Sequence, residues 1–163
     1  VATGIFGIGR KIPMNRVNDL GQREGYWRDS VGGGFVYDLY YKGGKKDGLY
    51  KRFYRNKLFL FGEYTADNIS GTWYMFGDEG ELRCTIDSIE LNKDSIYTGY
   101  CRIFCKYKCY CADYYPSGAV KSEGYMVCDE DFMVDFWEIG EWKYYDESGN
   151  LIKTKDYGDR RTP

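Results

Sequence analysis

The residues best equipped for chemistry are the six cysteines, Cys84, Cys101, Cys105, Cys109, Cys111 and Cys128, four of them in the pattern C-x3-C-x3-C-x-C. Thiolates bind soft metal ions, exchange disulfides and attack electrophiles. Zinc sites call for pairs two to four residues apart on turns that converge tetrahedrally. Here Cys101, Cys105, Cys109 and Cys111 share odd numbers with Ile103 and Tyr107, while Arg102, Lys106 and Lys108 take even positions. In a continuous strand that alternation places every thiol on one apolar face. Packing as small hydrophobes in a sheet core is the favoured use, ahead of disulfides and then of a metal or redox site. Residues i and i+4 of one strand lie about 13 Å apart, so any disulfide must join different strands, through Cys84 or Cys128 for example. No metal and no cofactor is expected.

Histidine is absent. That removes the usual general base, proton shuttle and commonest metal ligand from the chain's own chemistry. Carboxylates remain, and a pair such as Glu138 and Glu141 is the candidate for a glycan hydrolase, an alternative to the expected non-enzymatic function.

Charge is uneven although the net charge is only −2. Lys42, Lys45, Lys46, Lys51, Arg52, Arg55 and Lys57 crowd into residues 42–57 against the single Asp47. Asp129, Glu130, Asp131, Asp135, Glu138 and Glu141 form an acidic run with no base among them. Both can be solvated strand faces and turns. The sharper reading makes Lys42, Lys45, Lys46, Lys51, Arg52 and Arg55 a patch for an anionic protein surface, gathered by a local hairpin and interleaved with Tyr50, Phe53 and Tyr54. The near-neutral chain argues against general nucleic-acid binding. Lysines follow Gly43-Gly44 without the Ser/Thr of a phosphate-binding loop.

These groups need a scaffold, and the composition points to β-structure. Aromatics reach 19% with 18 tyrosines, glycine contributes 21 residues and proline only 3. Tyrosine suits a half-buried pleated surface and glycine supplies the positive φ of tight turns. No stretch approaches the roughly 20 apolar residues of a membrane-spanning helix. A chain that starts at Val1 and not at methionine is expected to have lost an upstream segment, and the cell envelope or exterior is favoured over the cytoplasm.

A repeat organises the rest. Gly25, Gly48 and Gly71 are spaced 23 residues apart, each followed two residues later by an aromatic: Trp27, Tyr50 and Trp73. Tyr41 and Tyr64 lie sixteen after the first two glycines, and Phe53 and Phe76 five after the last two. Gly71 to Leu82 (GTWYMFGDEGEL) aligns without a gap on Gly140 to Leu151 (GEWKYYDESGNL), which brings Gly140 and Trp142 into the same positions. Each unit reads as an aromatic strand, a polar Gly-containing turn and a return strand. One hairpin cannot bury its own apolar face, so the units must join into a meander. The aromatics two and five after each glycine differ by three, so either a β-bulge restores parity or both faces carry aromatics.

The segments DGLYKRFYRNKL, SGTWYMFGDEGEL, YYPSGAVKSEGY and IGEWKYYDESGNLIKTKDYG resemble the MORN repeat, in the variant form of bacterial antitoxin-like proteins. The resemblance covers roughly residues 20–157 and departs from the pattern between Thr85 and Asp113. It implies an all-β, elongated, twisted, single-layer antiparallel sheet of repeated hairpins over residues 21–157. Residues 1–20 would be a lead-in, 158–163 a tail, and about 85–113 an inserted or diverged unit. It further implies a binding or scaffolding protein acting on another protein, or an antitoxin or immunity protein. The family has no shared catalytic residue to carry over.

Overall fold

The computed structural model describes residues 13–93, 97–98, 103–129 and 136–158. Its strands are β1 (Arg16–Val17), β2 (Arg23–Gly32), β3 (Phe35–Lys42), β4 (Lys45–Tyr54), β5 (Lys57–Thr65), β6 (Asn68–Phe76) and β7 (Leu82–Leu91). A short ribbon follows, β8 (Tyr97–Thr98) and β9 (Ile103–Phe104). The chain then continues through β10 (Tyr107–Tyr114), β11 (Val120–Cys128), β12 (Phe136–Tyr145) and β13 (Leu151–Asp156). No helix occurs among the described residues, so none is long and apolar enough to cross a membrane.

Eleven strands form one open antiparallel sheet in the order β1-β2-β3-β4-β5-β6-β7-β10-β11-β12-β13. The expected single layer of consecutive hairpins is what the chain builds. At a strand spacing of about 4.8 Å the sheet extends roughly 48 Å across its strands, which makes it elongated. The meander is interrupted only between β7 and β10, where β8 and β9 pair with each other outside the main sheet. Asn92 Nδ2 donates to the Cys105 carbonyl at 2.9 Å and closes the base of this excursion.

Two turn chemistries drive the hairpins. Gly33-Gly34, Gly43-Gly44, Arg55-Asn56 and Ala66-Asp67 each have two successive positive φ angles, the signature of two-residue turns whose twist matches that of the strands. The later hairpins use a longer turn, repeated three times. The amides of Gly77, Tyr115 and Asp146 donate to the carbonyl four residues on, while Gly80, Gly118 and Gly149 reach back to the carbonyl three residues before. The longer turns and the β8–β9 excursion both fall after Gly71, where the unbroken run of 23-residue spacings stops.

The repeat glycines sit at bulges. Between the pairs Glu63↔Ser70 and Phe61↔Tyr74, β6 carries two residues more than β5, and Gly71 within that excess has φ 64°. Gly140 (φ 58°) opens the matching excess on β12, and Gly48 (φ 129°) sits at the middle of the one on β4. The bulge turns the following aromatic onto the core face, where Trp73 and Trp142 are buried and Tyr50 packs against Trp73. Tyr50 and Tyr64 contact Trp73 with ring centroids 5.5 and 5.3 Å apart, so the aromatic of the second unit seats against that of the third. Two of the aromatics five after glycine go elsewhere, Phe53 under Arg28 and Tyr145 with its hydroxyl donating to Glu123 at 2.6 Å, while Phe76 lines the cleft described below. Bulges and two aromatic faces therefore coexist.

Candidate functional site

The six bases singled out from sequence are not gathered into one patch. Lys42 and Lys45 face each other across the β3–β4 turn, whereas Arg55 lies in the β4–β5 turn at the other end of β4. Ten residues of strand separate those ends, roughly 30 Å. Lys51 pairs across to Asp38 and Phe61, on the face opposite Tyr50. A hairpin places sequence neighbours at both of its ends, so contiguity of charge in the chain did not become contiguity in space.

What the fold does with three of them is specific. Lys46 Nζ stands 4.7 Å from the Tyr64 ring centroid, Arg52 Cζ 4.6 Å from that of Phe35, and Arg55 Cζ 5.1 Å from that of Tyr54. The pattern extends to Lys108 over Tyr125, Lys153 over Tyr144 and Lys155 over Tyr157. Each cation sets its charged end over an aromatic ring of its own or a neighbouring stretch of chain.

A second feature was not foreseen. On the core face, side chains from β5 to β12 line one cleft of 620 Å³. Its apolar floor includes Ile86, Met126 and Trp142, and its polar groups include Arg83, Asp113, Lys121 and Glu138. Glu138 lines this cleft but Glu141, three residues on and past the Gly140 bulge, does not. The candidate pair Glu138 and Glu141 is thus not brought to one site. Glu130, Asp131 and Asp135 lie outside the described residues. From β4 to β12 six strand spacings intervene, roughly 29 Å along a flat sheet, against a screening length of about 8 Å. The acids of β12 are therefore too far away to neutralise the cations of β4.

The cysteines divide. Cys101 lies outside the described residues. Cys105 precedes β10, off the strand, and packs with Val127 and Ile139 in a small cluster apart from the main core. The expected single strand carrying all four thiols on one face therefore ends short of Cys105. Cys109 and Cys111 do share the core face, where each meets a thiol of a neighbouring strand: Cys111 and Cys84 are 3.3 Å apart at Sγ, Cys109 and Cys128 3.6 Å. Cys84, Cys109, Cys111 and Cys128 are thiols, not disulfides. Hydrogen bonding within each pair, reinforced by burial, pushes the thiols of Cys84 and Cys109 well above the ordinary range, so neither is an activated nucleophile as it stands.

Sequence reasoning missed two glycines that make the core possible. A Cβ on Gly62 would overlap the Trp73 indole, and one on Gly124 would overlap that of Trp142. Their mid-strand positions were the available signal, since glycine inside a strand marks a close approach. Comparison with protein-family models, curated proteins and solved structures returned no match.

Proposed function

We propose that this chain is a non-enzymatic, MORN-like binding module that holds an anionic surface of another protein against its sheet. The observation that carries this reading is the ordering of Lys46, Arg52 and Arg55 over Tyr64, Phe35 and Tyr54. A long cationic side chain loses about 0.5–1.5 kcal/mol of rotamer freedom when a partner immobilises it. Cations already laid on rings have lost part of that freedom before the partner arrives. Aromatics and arginine are also the side chains that concentrate binding energy at protein interfaces. A partner spanning β3 to β5 would meet two such cations at the Arg55 end and Lys46 toward the other.

The test is affinity capture from the native organism with wild-type chain and with a Lys46→Glu/Arg52→Glu/Arg55→Glu variant, across a salt series. The expected result is a protein with an acidic surface, captured less at high salt and lost with the triple variant. A captured toxin would make the module an immunity protein. Capture indifferent to both salt and charge reversal would remove the cationic rows from the reading.

A further inference from the structure

Cys84 on β7 and Cys111 on β10 line the cleft together with Asp113. The register pairs Cys84 with Asp113 and Ile86 with Cys111, so the two cysteines are diagonal neighbours on one face. Their sulfurs and a carboxylate oxygen of Asp113 all lie within 4.8 Å of one another. Ser122, itself buried, donates to Asp113 Oδ2 at 3.0 Å and orients that carboxylate from β11.

Backbone spacing separates the two uses such thiols could have. Diagonal neighbours in an antiparallel pair have Cα atoms about 7–8 Å apart, beyond the usual 4.4–6.8 Å of a disulfide. A metal ion bridges the wider gap, because two Zn–S bonds of about 2.3 Å in tetrahedral geometry set the sulfurs about 3.8 Å apart. The observed 3.3 Å needs only a small rotation of either side chain to reach that value.

We propose that Cys84, Cys111 and Asp113 bind a thiophilic divalent cation of the Zn²⁺ type, its fourth position open to the cleft. Two thiolates and a carboxylate suit a borderline-soft ion, and three protein ligands with one open position leave room for water or a partner's side chain. Binding replaces two S–H bonds by two metal–sulfur bonds and releases two protons. Ser122 then serves as the hydrogen-bond support that metal-bound carboxylates ordinarily have. The second thiol pair is the internal contrast. Cys109 and Cys128 are fully buried and do not line the cleft, and no third donor groups with them among the described residues. The site stands independently of the cationic rows, since none of their three bases lines the cleft.

The experiment is a titration of the reduced, metal-free chain with Co²⁺, followed by displacement with Zn²⁺. Wild type is expected to bind one ion with thiolate-to-cobalt charge-transfer absorption, which Zn²⁺ abolishes. Cys109→Ser should keep this behaviour, Cys84→Ser and Cys111→Ser should lose it, and Ser122→Ala should weaken binding about 10- to 100-fold. Asp113→Asn guards against a cysteine variant that fails to fold. With its strand content verified by circular dichroism, it should bind at least about tenfold more weakly. Absence of the charge-transfer band in wild type would overturn the site. So would equal loss in Cys109→Ser, or unchanged affinity in Asp113→Asn.

Discussion

A Cβ placed on Gly124 would lie 2.5 Å from Cδ1 and Cγ of the Trp142 indole, so the bare backbone of β11 is the seat on which that ring rests. The indole Nε1 donates to the Tyr125 carbonyl at 2.7 Å, which ties the ring to the same strand. Gly124→Ala should overpack this contact and cost about 1–3 kcal/mol, and Trp142→Ala should empty it at about 3–5 kcal/mol. Both act on one contact, so the double variant should lose clearly less than the sum in urea unfolding. Additive losses would show that glycine and ring are not partners.

Gly140 separates conformation from crowding, because its φ is +58° and a Cβ there would meet nothing within 4 Å. Gly140→Ala should therefore cost about 1–2 kcal/mol from the left-handed backbone alone, and Gly140→Asn less, since asparagine tolerates that region. Ser88 holds the smaller, one-residue bulge of β7 at φ 51°. Ser88→Gly should raise the denaturation midpoint, the opposite sign from the Gly140 series.

Arg28 grips Asp38 with two hydrogen bonds, Nε to Oδ1 at 2.6 Å and Nη2 to Oδ2 at 2.7 Å. The arginine is half exposed but the carboxylate is buried, so the two partners are not equivalent. Arg28→Met keeps the stem and strands the carboxylate, at a cost of roughly 1–3 kcal/mol. Adding Asp38→Asn should return part of that loss, measured by thermal or urea denaturation.

The Tyr26 hydroxyl is pushed up from its ordinary 10.0 to about 12, first by desolvation and next by the Asp38 carboxylate. Raising an acid's folded pKa means that the unfolded chain releases the proton first. The stabilisation is therefore complete below pH 10 and is lost as pH climbs toward 12. Wild type should lose stability more steeply across that window than Tyr26→Phe, and parallel alkaline profiles would count against the assignment.

Much of the fold was legible because it is written in local periods. The glycine-to-aromatic spacing at Gly48/Tyr50 and Gly71/Trp73 marks the repeat within one strand, while the choice between a bulge and two aromatic faces was made by the register. The turn tetrads likewise carry their own conformation. The six bases mark the limit of such local reading: Lys42 and Arg55 are thirteen residues apart in sequence, yet a strand's length carries them to opposite ends of β4.

The all-β class and the hairpin unit could be read from the chain alone, since each depends on residues close together along it. Only the tertiary structure decided that Cys84 meets Cys111 beside Asp113, that Gly62 and Gly124 seat tryptophans of the next strand, and that a cleft opens between β5 and β12. Those meetings cross strands. They depend on register, and every bulge or change of turn length shifts register by amounts that side-chain alternation does not record.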